Sequence, residues 1–218
     1  MGNRAIITTA ENYSNNGAGI YLHWNGGRDS VEAFLTYAKL QGAGGDPDYT
    51  IARLTQYIGN WFGGTSSLGI VPARCGAGDD NGVYIIDNNL DIIDRKEIPE
   101  GFREQNEYDL NEMVQDINDA QPAGVRIKTR LLRQMMMELK YPMSYEEKIA
   151  LVTIGTEIYL ETFDGWKRFQ VIGFGKEGDC FGSAGIPYVN YLNGINNDGK
   201  YEKNPNNYLA KHHRFLFA

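Results

Sequence analysis

The run His23-Trp24-Asn25-Gly26-Gly27-Arg28-Asp29-Ser30 holds the residue types in this chain best suited to chemistry. A strand that leaves through two glycines into a helix start exposes backbone N–H groups, and Arg28 adds a cation beside them. His23, Gly26, Gly27 and Arg28 are therefore a candidate cradle for an anion or a nucleotide phosphate. The spacing is neither GxGxxG nor GxxxxGK[ST], and an Asp29 cap would compete for the same donors, so a plain glycine turn with an N-cap is the competing reading. His23 is also the candidate general base of a hydrolase working with a carboxylate, although no nucleophile stands near it in sequence. Cys75 in Ala73-Arg74-Cys75-Gly76 has a neighbouring cation that would lower a thiol pKa, whereas Cys180 sits between Asp179 and Phe181. His212 and His213 would point to opposite sides of a strand, and Asp79-Asp80-Asn81-Gly82 and Asn196-Asn197-Asp198-Gly199 read as turns rather than calcium loops. No metal site and no cofactor are expected from these patterns.

A second kind of chemistry is recognition by charge and aromatic surface. The net charge of −7 is uneven: residues 99–124 carry one basic and seven acidic side chains, and residues 125–148 carry six basic and three acidic. The acids are Glu100, Glu104, Glu107, Asp109, Glu112, Asp116 and Asp119. They suit a basic groove on a partner. The strip Arg126, Lys128, Arg130 and Arg133 offers a local contact for RNA or DNA, but an acidic total argues against a general nucleic-acid binder, which needs a basic footprint. Between Tyr188 and Tyr208, the rings of Tyr188, Tyr191, Tyr201 and Tyr208 alternate with asparagines and glycines, a mixture that serves either a recognition surface or a set of polar turns.

The elements that would position these groups follow from periodicity. Arg4 to Thr9 is β-prone, Asn16-Gly17 signals a hairpin turn, and Ile20, Leu22 and Trp24 alternate. Asp29 and Glu32 have capping-box spacing ahead of the stripe Val31, Phe34, Leu35 and Ala38; a second stripe runs Ile51, Leu54, Ile58, Trp61 and Phe62 to Gly63-Gly64. Strands are expected at Ser67 to Val71, Val83 to Ile86 and Leu90 to Ile93. Residues 1–98 thus read as an α+β domain, ββααβββ with an antiparallel sheet. Residues 99–148 read as a helical connector, with one helix behind Asp109 and Glu112, another from Ile127 to Leu139, and a capping box at Ser144 and Glu147. Residues 149–218 read as a small β-rich domain, barrel-like and SH3-like, with strands at Glu157 to Thr162, Trp166 to Phe174, Ile186 to Leu192 and Arg214 to Phe217.

The chain of 218 residues has 42% hydrophobic and 22% charged residues, which excludes whole-chain disorder. Two cysteines are too few for a disulfide framework and fit a reducing compartment. No apolar run approaches a membrane span, and Met1-Gly2-Asn3-Arg4 is not followed by the apolar stretch of a signal peptide, so a cytoplasmic protein is expected.

Met1-Gly2-Asn3-Arg4-Ala5, followed by Ile20-Tyr21-Leu22-His23-Trp24-Asn25-Gly26-Gly27-Arg28-Asp29-Ser30-Val31, resembles the opening of small proteins of bacteriophages, prophages and conjugative elements. The resemblance covers roughly the first hundred residues and carries no catalytic residues with it. It implies an accessory protein of a mobile element, a class rich in inhibitors of host defence, and hence a non-catalytic, anti-CRISPR-like protein that binds a host defence protein or nucleoprotein such as a CRISPR effector. A binder that sequesters a nucleotide through Gly26, Gly27 and Arg28, and a hydrolase using His23, are the alternatives.

Overall fold

The computed structural model describes residues 3–78, 80–104, 107–162, 165–174, 187–191 and 215–217. The chain divides into two compact units, Met1–Ile127 and Lys128–Ala218. Both are built from helices and sheets, and the fold is α+β.

The first unit is organised around β1 (Ala5–Thr9), whose five residues are all buried. The connection to β2 (Ala18–Leu22) is not the tight hairpin expected at Asn16-Gly17. A short helix, α1 (Ala10–Asn15), intervenes, because the Thr9 side chain accepts from the Asn12 N–H and starts a turn, and Asn16 ends it at φ 52°. The two strands still pair antiparallel, with Ile7 opposite Ile20. Helix α2 (Arg28–Leu40) buries Val31, Phe34, Leu35 and Ala38, the stripe read from the sequence, and α3 (Pro47–Trp61) buries Ile51, Leu54 and Ile58. Asp46 caps α3, its carboxylate accepting from the N–H groups of Asp48 and Tyr49, and Pro47 needs no partner at the first helical position.

The sheet departs from the antiparallel expectation. Strand β3 (Leu68–Pro72) adds to the outer side of β2, so that side is filled. The next strand, β4 (Val83–Ile86), lies instead on the free side of β1 and parallel to it, Ile6 beside Val83. Gly19 permits the close approach of Ile6 and Ala73: a Cβ there would sit 2.7 Å from Ile6 Cγ2 and 3.3 Å from Ala73 Cα. Strand β5 (Ile92–Lys96) completes the order β3-β2-β1-β4-β5, a mixed sheet. The last strand was expected from Leu90; instead Leu90 is a turn residue at φ 63°, because the Asp87 carboxylate accepts from the N–H groups of Asn89 and Asp91 and closes the turn one step later.

Helix α4 (Leu110–Ala120), read from the sequence as part of a connector, packs Met113, Val114 and Ile117 into the first unit against α2 and α3. Its end is fixed by polar contacts. Asn118 bridges to Ile127, accepting from its N–H at 2.8 Å and donating to its carbonyl at 2.9 Å. Gln121 accepts from Asn60 and donates to the Tyr57 carbonyl.

In the second unit, α5 (Thr129–Lys140) buries Leu131, Leu132 and Met135, and α6 (Tyr145–Ala150) begins with the capping box of Ser144 and Glu147. Strands β6 (Glu157–Thr162), β7 (Gly165–Phe174), β8 (Pro187–Tyr191) and β9 (Phe215–Phe217) form an antiparallel sheet in the order β8-β7-β6-β9. Among the described residues it is an open sheet. Ile158, Val171 and Phe215 are the centre of its core.

Candidate functional site

The junction read as an anion cradle is a packed corner. Gly26 and Gly27 are buried. The Gly26 N–H donates to the Asn3 carbonyl at 2.8 Å, and a Cβ at Gly26 would lie 2.6 Å from that oxygen and 2.7 Å from Ala5. The Gly26 carbonyl accepts from the Tyr84 hydroxyl at 3.1 Å, and burial raises the Tyr84 pKa so that this proton stays in place. Arg28 is exposed and paired with Glu32 one turn along α2, at 2.7 Å. That bond is the main reason its guanidinium pKa is raised. His23 is exposed too, with Nδ1 3.0 Å from the Tyr21 hydroxyl and its ring edge-on to Trp24 at 5.1 Å between centroids.

Asp29 is not the helix cap that its spacing to Glu32 suggests. Gly27 occupies that position without a side-chain bond. The Asp29 carboxylate instead accepts from the N–H groups of Glu107 at 2.6 Å and Tyr108 at 2.8 Å, and from Ser30 at 2.7 Å. It thereby ties the start of the acidic segment to the start of α2.

A second tie is made by Arg95, a residue the sequence reading did not single out. Its guanidinium lies between the rings of Tyr84 and Phe102, at 4.3 and 4.4 Å from their centroids. It donates to the Asn81 carbonyl at 2.7 Å and to both oxygens of Glu104, the nearer at 2.8 Å. Every edge of the planar group is used, and its side chain is only 10% exposed. The only local signal was the alternation of β5, which puts Arg95 opposite Tyr84.

Between α2, the β4–β5 turn and the start of α4 lies an open cleft of about 260 Å³. Leu35, Leu90, Ile92 and Leu110 form its apolar lining; Arg28 with Glu32, and Lys39 with Asp91, are the ion pairs along it. It brings Arg28 to the start of the acidic helix but leaves Gly26 and Gly27 behind it, in the packed corner.

The seven acids divide by use. Glu104 is held by Arg95, and Asp109 caps α4 by accepting from the N–H groups of Asn111 at 2.9 Å and Glu112 at 3.1 Å. Glu100 and Glu107 are exposed. Glu112, Asp116 and Asp119 share the solvent side of α4, at positions i, i+4 and i+7, and among the described residues no cation pairs with them. Asp119 accepts from Gln115 at 3.0 Å.

The basic strip falls at the division between the units. Arg126 donates to the Gln121 carbonyl, Lys128 precedes α5, and Arg130 and Arg133 are exposed on that helix. Tyr188 and Tyr191 fall in β8, with side chains outside the described residues; Tyr201, Cys180, His212 and His213 lie outside them altogether. Cys75 is a free, exposed thiol. Among the described residues no three histidine, cysteine or carboxylate side chains are grouped for a metal ion, and no helix is long and apolar enough to cross a membrane. Comparison with protein-family models, with curated proteins and with solved structures finds no match.

Proposed function

We propose that this protein is a non-catalytic binding protein of a mobile genetic element that blocks a host defence complex in the bacterial cytoplasm, in the manner of an anti-CRISPR, by presenting the acidic side of α4 to a basic surface. The observation that carries this reading is the division of α4 into two sides: Met113, Val114, Ile117 and Asn118 are buried, while Glu112, Asp116 and Asp119 face solvent and have no paired cation among the described residues. Charges fixed on a packed helix lose little conformational freedom on docking, and charge complementarity steers encounter and selects the partner. Such a surface fits a basic, nucleic-acid-binding groove on a CRISPR effector or a similar nucleoprotein. The four-stranded sheet of the second unit is, in this reading, the small SH3-like module, and the tyrosines from Tyr188 onward supply further anchors.

The test is interference with host defence, scored as phage plating on a host whose defence system is active. The triple variant Glu112→Lys, Asp116→Lys, Asp119→Lys, with an unchanged circular dichroism spectrum, is expected to lose the protection that the unaltered chain gives. Protection that survives the reversal overturns the reading.

A further inference from the structure

The two edges of the five-stranded sheet are finished differently. At the β5 edge the register shifts between Ile85 and Ile86, Asp94 pairs with Lys96 at 2.6 Å, and Glu97 turns the chain away at φ 56°. A bulge, charges and an abrupt end are the usual means of stopping a sheet from growing. At the other edge, β3 reads Leu68-Gly69-Ile70-Val71-Pro72, without a charge or a register shift, and its one guard, Pro72, stands at its last residue.

The direction of its backbone groups follows from the pairing with β2. The His23 N–H donates to the Ser67 carbonyl and the Ala73 N–H to the Gly17 carbonyl, so residues 67, 69, 71 and 73 turn toward β2. The N–H and C=O groups of Leu68 and Ile70 therefore point outward, and among the described residues nothing bonds to them. Pro72, with no N–H, stands where its missing donor would also face out, the place in a sheet that tolerates proline. Ile70 lies opposite Ile20, but Ile20 is fully buried and Ile70 is 56% exposed.

We infer that this edge is the interface of a homodimer, β3 pairing antiparallel with β3 of a second copy so that the two sheets run on as one. The occupant is argued from β3 itself, which is an extended, uncharged segment whose free groups match their own reversed copy. With Gly69 on the two-fold axis, Leu68 of each chain faces Ile70 of the other, and each pair exchanges both backbone hydrogen bonds. Gly69, whose own N–H and C=O are given to β2, meets its copy at the closely spaced position with no side chain to collide. The half-exposed Ile70 gains an apolar neighbour in the opposing Leu68. The nearest flanking charges, the two Arg74 side chains, end up about 30 Å apart, because antiparallel pairing sends them to opposite ends. This inference does not depend on the acidic side of α4.

Sedimentation equilibrium of the whole chain over a wide concentration range tests it. The unaltered protein is expected to reach the mass of two chains. Ile70→Lys, which puts two charges into the joint, is expected to raise the dimer dissociation constant at least about tenfold, while Ile93→Lys on the opposite edge leaves it unchanged. A monomer at every concentration overturns the proposal, even one that accepts a strand of another protein at β3; so does a dimer indifferent to Ile70→Lys. Should that variant fail to fold, amide exchange of the unaltered chain decides: Leu68 and Ile70 amides protected at high concentration and not on dilution support the joint, and equal exchange at both overturns it.

Discussion

Residues 104–109 and residues 112–119 are both acidic, and they spend their carboxylates in opposite ways. In the first stretch Glu104 grips Arg95, Asp109 caps α4, and the backbone of Glu107 and Tyr108 is itself held by Asp29. In the second, Glu112, Asp116 and Asp119 stand in solvent, with no paired cation among the described residues. A run of like charge is therefore not one feature. The part nearest the sheet fastens the helix, and the part on the helix is what the fastening displays.

If the fastening is as described, its loss must be felt as stability. Arg95→Ala should cost most, about 3 kcal/mol in urea unfolding, since it leaves Glu104 and the Asn81 carbonyl without their donor and opens a gap between Tyr84 and Phe102. Asp29→Ala should cost about 1–2 kcal/mol and speed amide exchange at Glu107 and Tyr108, whose N–H groups lose their acceptor. Asp109→Ala, a lost N-cap, should cost about 1 kcal/mol and reduce helicity at the start of α4. Reversing Glu112, Asp116 and Asp119 should move stability by no more than about 0.5 kcal/mol each, and for Asp119, close to the negative end of the helix dipole, the change to lysine should be slightly favourable. A large stability loss on reversing those three acids would erase the contrast between the stretches.

A smaller effect has a pH signature. Arg4, through its side-chain hydrogen bond first, lowers the Asp80 carboxyl pKa below the ordinary 3.8. A carboxyl depressed in the folded state adds stability that is present above its unfolded value and disappears as pH falls through the folded one. Arg4→Met should therefore be less stable than the unaltered chain at neutral pH, with the difference closing well below pH 3.8 in parallel thermal melts.

Much of the helix placement was legible because its signal is local. The stripes Val31, Phe34, Leu35 and Ala38, and Ile51, Leu54 and Ile58, are buried, and the capping box of Ser144 and Glu147 is made on both sides. The same spacing at Asp29 and Glu32 led elsewhere, because the N–H groups of Glu107 and Tyr108, remote in sequence, take the carboxylate. The parallel pairing of β1 with β4 and the stacking of Arg95 are likewise choices between distant segments, which no short window of residues encodes. For the site, the sequence marked Arg28 and the acids of α4, both of which are exposed. It missed the cleft beside Arg28, which exists only once α2, the β4–β5 turn and α4 are brought together.

The parallel placement of β4 beside β1 has a consequence for synthesis. As the chain leaves the ribosome, β1, β2 and β3 can pair in order, but the inner side of β1 stays open until Val83 arrives to lie beside Ile6. Closing so long a loop is slow compared with forming a hairpin. The strand at the centre of the sheet is thus made well before the neighbour that encloses it, and the nascent protein depends on whatever shields Ile6 and Ile7 during that interval.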